Sequence, residues 1–320
     1  NGHFYLESNN VKDGKINRNS QIFINDEFYE KQRDKWLHTN DLVMVQSGHV
    51  GHTAVIPEEL DASAAHALIM FQDYKVKSNP YFLNYQFQTS DSRKKLDIIT
   101  TGNTIKHILA SEMKKFEVSL PIFEEQTKIG TFFKHLDDTI ALHQDKQQKL
   151  GLLKKRLVKE LFPQDEWNLP HIRFANFNNA WEQHQLKEVL RVNSGRDYKH
   201  LNEGDIPVYG TGGYMLSVDG KLSDVDSIGL GRKGTIDKPQ YLRAPFWTVD
   251  TLFYLTPFPN YDIYFLFTLT QSINWKTMDE STGVPSLSKA VIEKVTRTFP
   301  SFEEQKKIGL FFKQLDETIS

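Results

Sequence analysis

Apolar residues recur at 4–3 spacing through residues 124–162: Ile129, Phe133, Leu136 and Ile140, then Leu150, Leu157 and Leu161. That spacing is a heptad seam and predicts one long helix. His143, Gln147 and Lys154 occupy seam positions in its middle. Such a polar break weakens a seam but fixes register. Pro121 opens the helix, and Glu124 and Glu125 favour the positive end of its dipole. No proline interrupts 124–162, Gly151 is a late weak point, and Pro163 stops the run. At about 1.5 Å per residue the helix spans roughly 60 Å.

The start of this helix occurs twice. Residues 121–141 read PIFEEQTKIGTFFKHLDDTIA and residues 300–320 read PSFEEQKKIGLFFKQLDETIS, with 15 of 21 positions identical at a constant offset of 179. Ile308, Phe312, Leu315 and Ile319 repeat the first four seam residues. A period of 179 residues is too long for a solenoid, whose units run roughly 20–50 residues. It fits two globular halves, each followed by the same helix. Antiparallel pairing of the two copies would bury both seams. The second copy reaches Ser320 only about five turns in, so a chain cut at its C-terminal end is expected.

Between the helices the pattern changes. Residues 1–117 and 165–298 are rich in aromatic and β-branched residues with glycine turns. Strands are predicted at Gln21–Ile24, Leu42–Gln46, Ile228–Leu230 and Thr248–Leu255, and helices at Pro80–Gln88 and Ile263–Ser272. The fold class is therefore α/β in the mixed, α+β sense. The halves also echo each other faintly. Asp41-Leu-Val-Met-Val-Gln-Ser-Gly48 parallels Ser227-Ile-Gly-Leu-Gly-Arg-Lys-Gly234, and Thr101-Gly102 parallels Thr282-Gly283.

Composition narrows the function classes. The chain has 320 residues, 39% hydrophobic and 25% charged, which suits two ordinary domains. Its most apolar run, Ile263–Leu269, falls far short of the roughly 18 residues a membrane helix needs. It contains no cysteine, which removes disulfides, thiol catalysis and cysteine metal sites and fits a reducing cytosol. The net charge of −2 is not that of a protein that coats nucleic acid, so any such contact is local.

The paired P-x-F-E-E-Q-x-K-I-G-x-F-F-K-x-L-D-x-T-I stretches resemble the specificity subunit of type I restriction–modification systems. So do the L-K-K-R-L-V-K-E-L-F-P end of the first helix and the H-I-R-F-A-N-F-N-N-A-W-E opening of the second half. The I-P-V-Y-G-T-G-G and G-R-K-G-T loops add to the likeness. The resemblance covers nearly the whole chain. It implies two target-recognition domains that each read half of a split DNA site, held apart by long helices pairing as an antiparallel coiled coil. It implies docking of two methyltransferase subunits, to which restriction/translocase subunits join. It implies no catalytic residue and no metal here, with S-adenosylmethionine and ATP belonging to partner subunits, in the cytoplasm.

On this reading 1–117 is a first recognition domain that lacks the opening present around Arg173 to Trp181. Residues 118–164 are the central helix, 165–298 a second recognition domain, and 299–320 the second helix, cut short. The first long helix would then set the distance between the two half-sites. Two readings of another class remain: a self-contained DNA methyltransferase, and a coiled-coil scaffold for protein interactions.

The candidate DNA contacts lie in the echoed loops. Gly229-Leu-Gly-Arg-Lys-Gly234 matches G-x-G-x-x-G, but a dinucleotide site needs a helix directly after it, and Thr235-Ile-Asp-Lys-Pro239 cannot supply a long one. The resemblance instead assigns Arg232, Lys233 and Thr235 to DNA, where Arg pairs with guanine and Lys meets guanine or phosphate. The alternative is an ordinary turn with solvated charges. Ser47, His49 and Thr53 hold the matching place in the first half, with loop capping as the alternative. His49 and His52 show no third metal ligand nearby in the sequence. Tyr209, Thr211 and Tyr214 stand in a second glycine-rich turn that reads equally as a plain hairpin. Asn103 and Lys106, and Ser286 and Lys289, follow the two Thr-Gly turns and suit phosphate contacts or helix capping. Asn79-Pro-Tyr-Phe82 departs from the methyltransferase N-P-P-Y/F pattern and reads as a helix start, with Asn79 the cap.

Overall fold

A computed structural model describes residues 2–163 and 169–319. The domain boundary expected at 164/165 and the ends at Asn1 and Ser320 lie outside the described residues. The chain divides into two compact units, Asn1–His143 and Gln144–Ser320.

In the first unit the elements used below are β1 (His3–Leu6), β2 (Ile22–Ile24), β3 (Leu42–Val45), β4 (Thr53–Val55), β5 (Ala64–Ala65) and β6 (Leu68–Phe71). They are followed by α1 (Pro80–Gln88), α2 (Ser90–Ile99) and the long α3 (Phe123–Leu161). Two three-stranded sheets form, in orders β2-β1-β5 and β4-β3-β6. β3 reads LVMV and is buried along its whole length, because both of its faces are covered. Val43 and Val45 face one cluster with Leu6 and Ile56, while Leu42 and Met44 face another with Phe82, Phe87 and Leu96 from α1 and α2. A continuous apolar run is what a strand buried on both faces requires.

The second unit repeats this plan with more strands. After the last part of α3 come β7 (Glu182–Gln185), β8 (Leu190–Ser194), β9 (Glu203–Gly210), β10 (Gly213–Val218) and β11 (Ser227–Gly231). Then follow β12 (Gln240–Leu242), β13 (Trp247–Thr248), β14 (Leu252–Pro257), α4 (Ile263–Ser272), α5 (Lys289–Lys294), β15 (Thr296–Phe299) and α6 (Phe302–Ile319). The sheets run β10-β9-β13, β8-β14-β11-β12 and β7-β15. The strand expected over Thr248–Leu255 is two strands, because Asp250 and Thr251 turn between β13 and β14.

Both copies of the repeated helix grip the start of a recognition-domain helix in the same way. Gln126 accepts the backbone N–H of Asn79 at 3.0 Å and donates to the Pro121 carbonyl at 2.8 Å. Gln305 accepts from Asp262 at 3.1 Å and donates to Pro300 at 2.9 Å. Asn79 caps α1 through the Phe82 N–H, and Asp262 caps α4 through the Phe265 N–H. The residue identity between the two copies thus has a structural cause: each docks on one helix cap.

The pairing expected between the two copies is, in the second unit, a pairing of α6 with the last turns of α3. Ile308 and Phe312 are buried with Leu161 and Phe162, and Leu157, Val158 and Leu315 pack against them. The direction is antiparallel: Gln147 donates to the Ile319 carbonyl at 3.1 Å, Lys154 pairs with Asp316 at 2.6 Å, and the Phe162 and Phe312 rings lie 6.1 Å apart. Two polar seam residues therefore find partners on α6. In the first unit Ile129 packs at the core edge, and the Phe133 ring lies 5.2 Å from that of Tyr85. Phe133, Leu136 and Ile140 remain 41%, 44% and 43% exposed.

Candidate nucleic-acid interface

In each unit the chain leaving the central strand meets the loop that follows the Thr-Gly turn. In the first unit Ser47 bridges His107, the Gly48 N–H donates to the Lys106 carbonyl at 3.0 Å, and the Ile108 N–H donates to the Gln46 carbonyl at 3.0 Å. In the second unit Lys233 bridges Ser286, Gly234 donates to Pro285 at 2.8 Å, and Leu287 donates to Arg232 at 2.9 Å. A further bond fixes each loop from behind, Gln46 to Ala67 at 3.2 Å and Arg232 to Thr251 at 2.8 Å. Gly48 and Gly234 both take left-handed backbone, φ 84° and 92°, which a side chain resists. The two junctions are thus one design built twice.

The junctions gather most of the predicted residues. Ser47, with the exposed His49, stands beside the exposed Asn103 and Lys106 loop. In the second unit exposed Arg232 and Lys233 stand with Thr235 and Ser286. The β9–β10 turn joins them: Gln240 donates to the carbonyls of Gly210 and Thr211 at 2.9 and 3.1 Å, and the Thr211 hydroxyl lies against Gly234. Tyr209 and Tyr214 pack edge to face at 6.4 Å, with Tyr214 63% exposed. The Arg232 guanidinium sits 5.8 Å from the centre of the Phe253 ring, so its stem is supported while the residue stays exposed.

Other candidates are placed differently. Thr53 is a correction: it lies in β4, fully buried, with its hydroxyl donating to Asn84 at 2.8 Å. It supports the core and has no face toward a ligand. Lys289 opens α5, pairs with Glu293 at 3.6 Å, and lies just beyond the junction. Ser288, not Ser286, caps that helix. His52 is engaged, its Nδ1 accepting the Asp13 N–H at 3.1 Å.

Two positioning carboxylates escaped the sequence reading. Asp279 accepts the N–H groups of Ser281 and Ser286 at 3.0 and 2.8 Å, and Glu280 accepts that of Ser288 at 3.1 Å. The Ser286 and Ser281 donors hold the Asp279 carboxyl below its ordinary range. The available signal was Asp two residues before Ser, the usual form of an Asx turn.

The model for the type I restriction modification DNA specificity domain matches residues 5–152 and 178–320. The two-unit fold, its doubled loop junction and this match place the chain among DNA specificity domains. The chain belongs to the type I restriction–modification specificity family. It is 26% identical over 166 residues to the type I restriction enzyme MjaIX specificity subunit of Methanocaldococcus jannaschii, and 25% identical over 122 residues to the MjaVIII specificity subunit of that organism. Those stretches are 48% and 37% of this chain, and span only 36% and 28% of the two relatives. Among solved structures the fold is similar to the S subunit of a type I system from M. genitalium. The TM-score is 0.72 at 19% identity, over 99% of this chain and 82% of that one. It is also similar to a chain from a study of complex assembly and conformational transition in a type I system, with TM-score 0.53 and 14% identity, over 100% of this chain and 85% of that one.

Proposed function

We propose that the chain recognises DNA sequence for a type I restriction–modification complex, each unit reading one part of a split target through its loop junction. The carrying observation is the doubled junction. Both copies present short polar or cationic side chains from loops tied by the same three backbone hydrogen bonds. Loops fixed by a scaffold hold side chains in register with base edges and phosphates. On this reading methylation and cleavage belong to partner subunits that bind S-adenosylmethionine and ATP, with two methyltransferase subunits docking on the long helices. Restriction/translocase subunits complete the complex, and its setting is the cytoplasm. Among the described residues no helix is long and apolar enough to cross a membrane.

The test is a DNA mobility assay with and without the methyltransferase subunit, followed by mapping of methylated sites. Sequence-specific binding that changes when residues 232–235 are replaced supports the reading. Tight binding of S-adenosylmethionine by the chain alone, or no DNA binding in either state, overturns it.

A further inference from the structure

The two units join a matching pair of strands in different ways. β1 pairs antiparallel with β2 and parallel with β5, as β9 does with β10 and β13. In the second unit the link between the antiparallel pair is the tight turn Thr211-Gly212, part of the candidate interface. In the first unit the link runs from Glu7 to Gln21. Its middle folds into a small hairpin in which Val11 pairs with Ile16 and Lys12 with Lys15. Asp13 and Gly14 turn it, with φ of 48° and 83°. A type I′ turn needs positive φ at both central residues, and Asp-Gly is among the pairs that supply it best.

The hairpin docks where its counterpart docks. Ala54 pairs with Val43 and Gln240 with Gly229, and Val43 and Gly229 stand five residues before Gly48 and Gly234. Ala54 is thus the counterpart of Gln240. Gln240 holds the Gly210 and Thr211 carbonyls, and Ala54 bridges Gly14. Two side chains fix the hairpin further: His52 Nδ1 accepts the Asp13 N–H at 3.1 Å, and Asn84 donates to the Gly14 carbonyl at 3.0 Å. Lys15 lies 3.5 Å from Asp137, whereas Lys12 is exposed and forms no ion pair among the described residues. Positive groups gather beside it. Lys12, His49 and Arg93 each disfavour a proton on His52. Arg93 stands one turn before Leu96 on α2, and the Leu96 side chain lies against Gly51 in the junction loop.

We propose that the Val11–Ile16 hairpin completes the DNA interface of the first unit, with Lys12 a phosphate contact that fixes where the first half-site sits. The proposal rests on the DNA-recognition reading above and adds an element to it. Where the second unit offers neutral tyrosine and threonine, the first offers positive charge on a turn held at both sides. Lysine can meet guanine or phosphate. A point charge on a flexible stem, among other positive groups, suits phosphate, which positions the duplex and carries no sequence. Asp13 leaves that field intact, because its carboxylate is turned to His52, 3.3 Å from Nδ1. The first half-site is then held by charge to a greater degree than the second.

The test is DNA binding by the full chain with its methyltransferase subunit, measured across a range of salt on duplexes carrying the mapped site and single-base variants of it. Lys12→Ala is expected to weaken binding about fivefold near physiological salt, equally on every duplex, and to make the slope of log affinity against log salt shallower by about one. Lys12→Arg keeps the charge and should restore both affinity and slope. Lys12 is exposed, so its substitution leaves folding intact. An unchanged affinity and slope in Lys12→Ala overturns the proposal, and so does a loss confined to one base pair, which would make Lys12 a base reader. Absence of specific binding by the unsubstituted complex overturns the DNA-recognition reading and this proposal with it. Specific binding that ignores Lys12 overturns this proposal alone.

Discussion

Gly309 sits directly against the capping carboxylate of Asp262. A Cβ at position 309 would run into Asp262 Oδ1 and lie 2.8 Å from the Phe265 nitrogen. Gly130 stands in the same relation to Asn79, where a Cβ would meet Oδ1 at 2.6 Å and the Phe82 nitrogen at 2.8 Å. The helix approaches the cap too closely for any side chain. Gly309→Ala and Gly130→Ala are expected to cost about 1–3 kcal/mol each, although alanine ordinarily favours a helix. Urea unfolding followed by circular dichroism checks this, and a gain in stability for either would refute the close docking.

Arg173 is 17% exposed at its side chain and Glu304 is 1% exposed. Arg173→Ala leaves a buried carboxylate without its partner and is expected to cost about 3–5 kcal/mol. Glu304→Leu added to Arg173→Ala removes the stranded charge and should recover much of that loss. The double-mutant cycle is measured by chemical unfolding. A double variant no more stable than Arg173→Ala alone would count against a buried-charge penalty.

His52 gives the first unit a pH dependence. Burial pushes its pKa below the ordinary 6.5, Arg93 pushes the same way, and Asp13 opposes them; His49 and Lys12 add smaller lowering effects. The unfolded chain therefore takes up the proton first as pH falls. Stability from this group is complete above 6.5 and declines as pH falls from there through the folded pKa. Thermal melting from pH 8 to 5 should show a decline that is shallower in His52→Gln. Identical profiles would assign the decline to other groups.

Arg232→Ala is expected to weaken specific DNA binding through the second unit alone. A base-reading role predicts a loss of about 1–3 kcal/mol concentrated at one base pair. A phosphate role predicts an even loss across sequences and a shallower salt slope. Unchanged affinity and preference in the assembled complex would make Arg232 a solvated turn residue.

Much of the frame was legible in the sequence because it rests on local signals. The Asn79 cap and the residue pattern placed α1, and the apolar run placed α4, at their observed bounds, and heptad spacing placed α3 within one residue at each end. The parallel drawn between Gly48 and Gly234 corresponds to matching loop junctions. What escaped depends on distant partners. Thr53 follows a glycine loop in sequence, but the Asn84 side chain lies 31 residues away and holds it in the core. Gln126 and Gln305 are polar helix residues whose partners, Asn79 and Asp262, lie 47 and 43 residues away in the chain. The seam had the spacing of self-pairing, yet the final turns of α3 also carry apolar residues and pack on α6.

Residues 138–149 of α3 are all exposed, between the part packed on the first core and the part packed on the second. That stretch has ion pairs of its own, such as Lys149 with Asp145, but no buried side chain. Isolated helix of this length is marginal in water, so it is held chiefly by the folded turns on either side. Transient fraying would expose Lys146 and Lys149 to trypsin before either core opens. Limited digestion should therefore divide the chain first at this point, releasing two fragments that each retain a folded core.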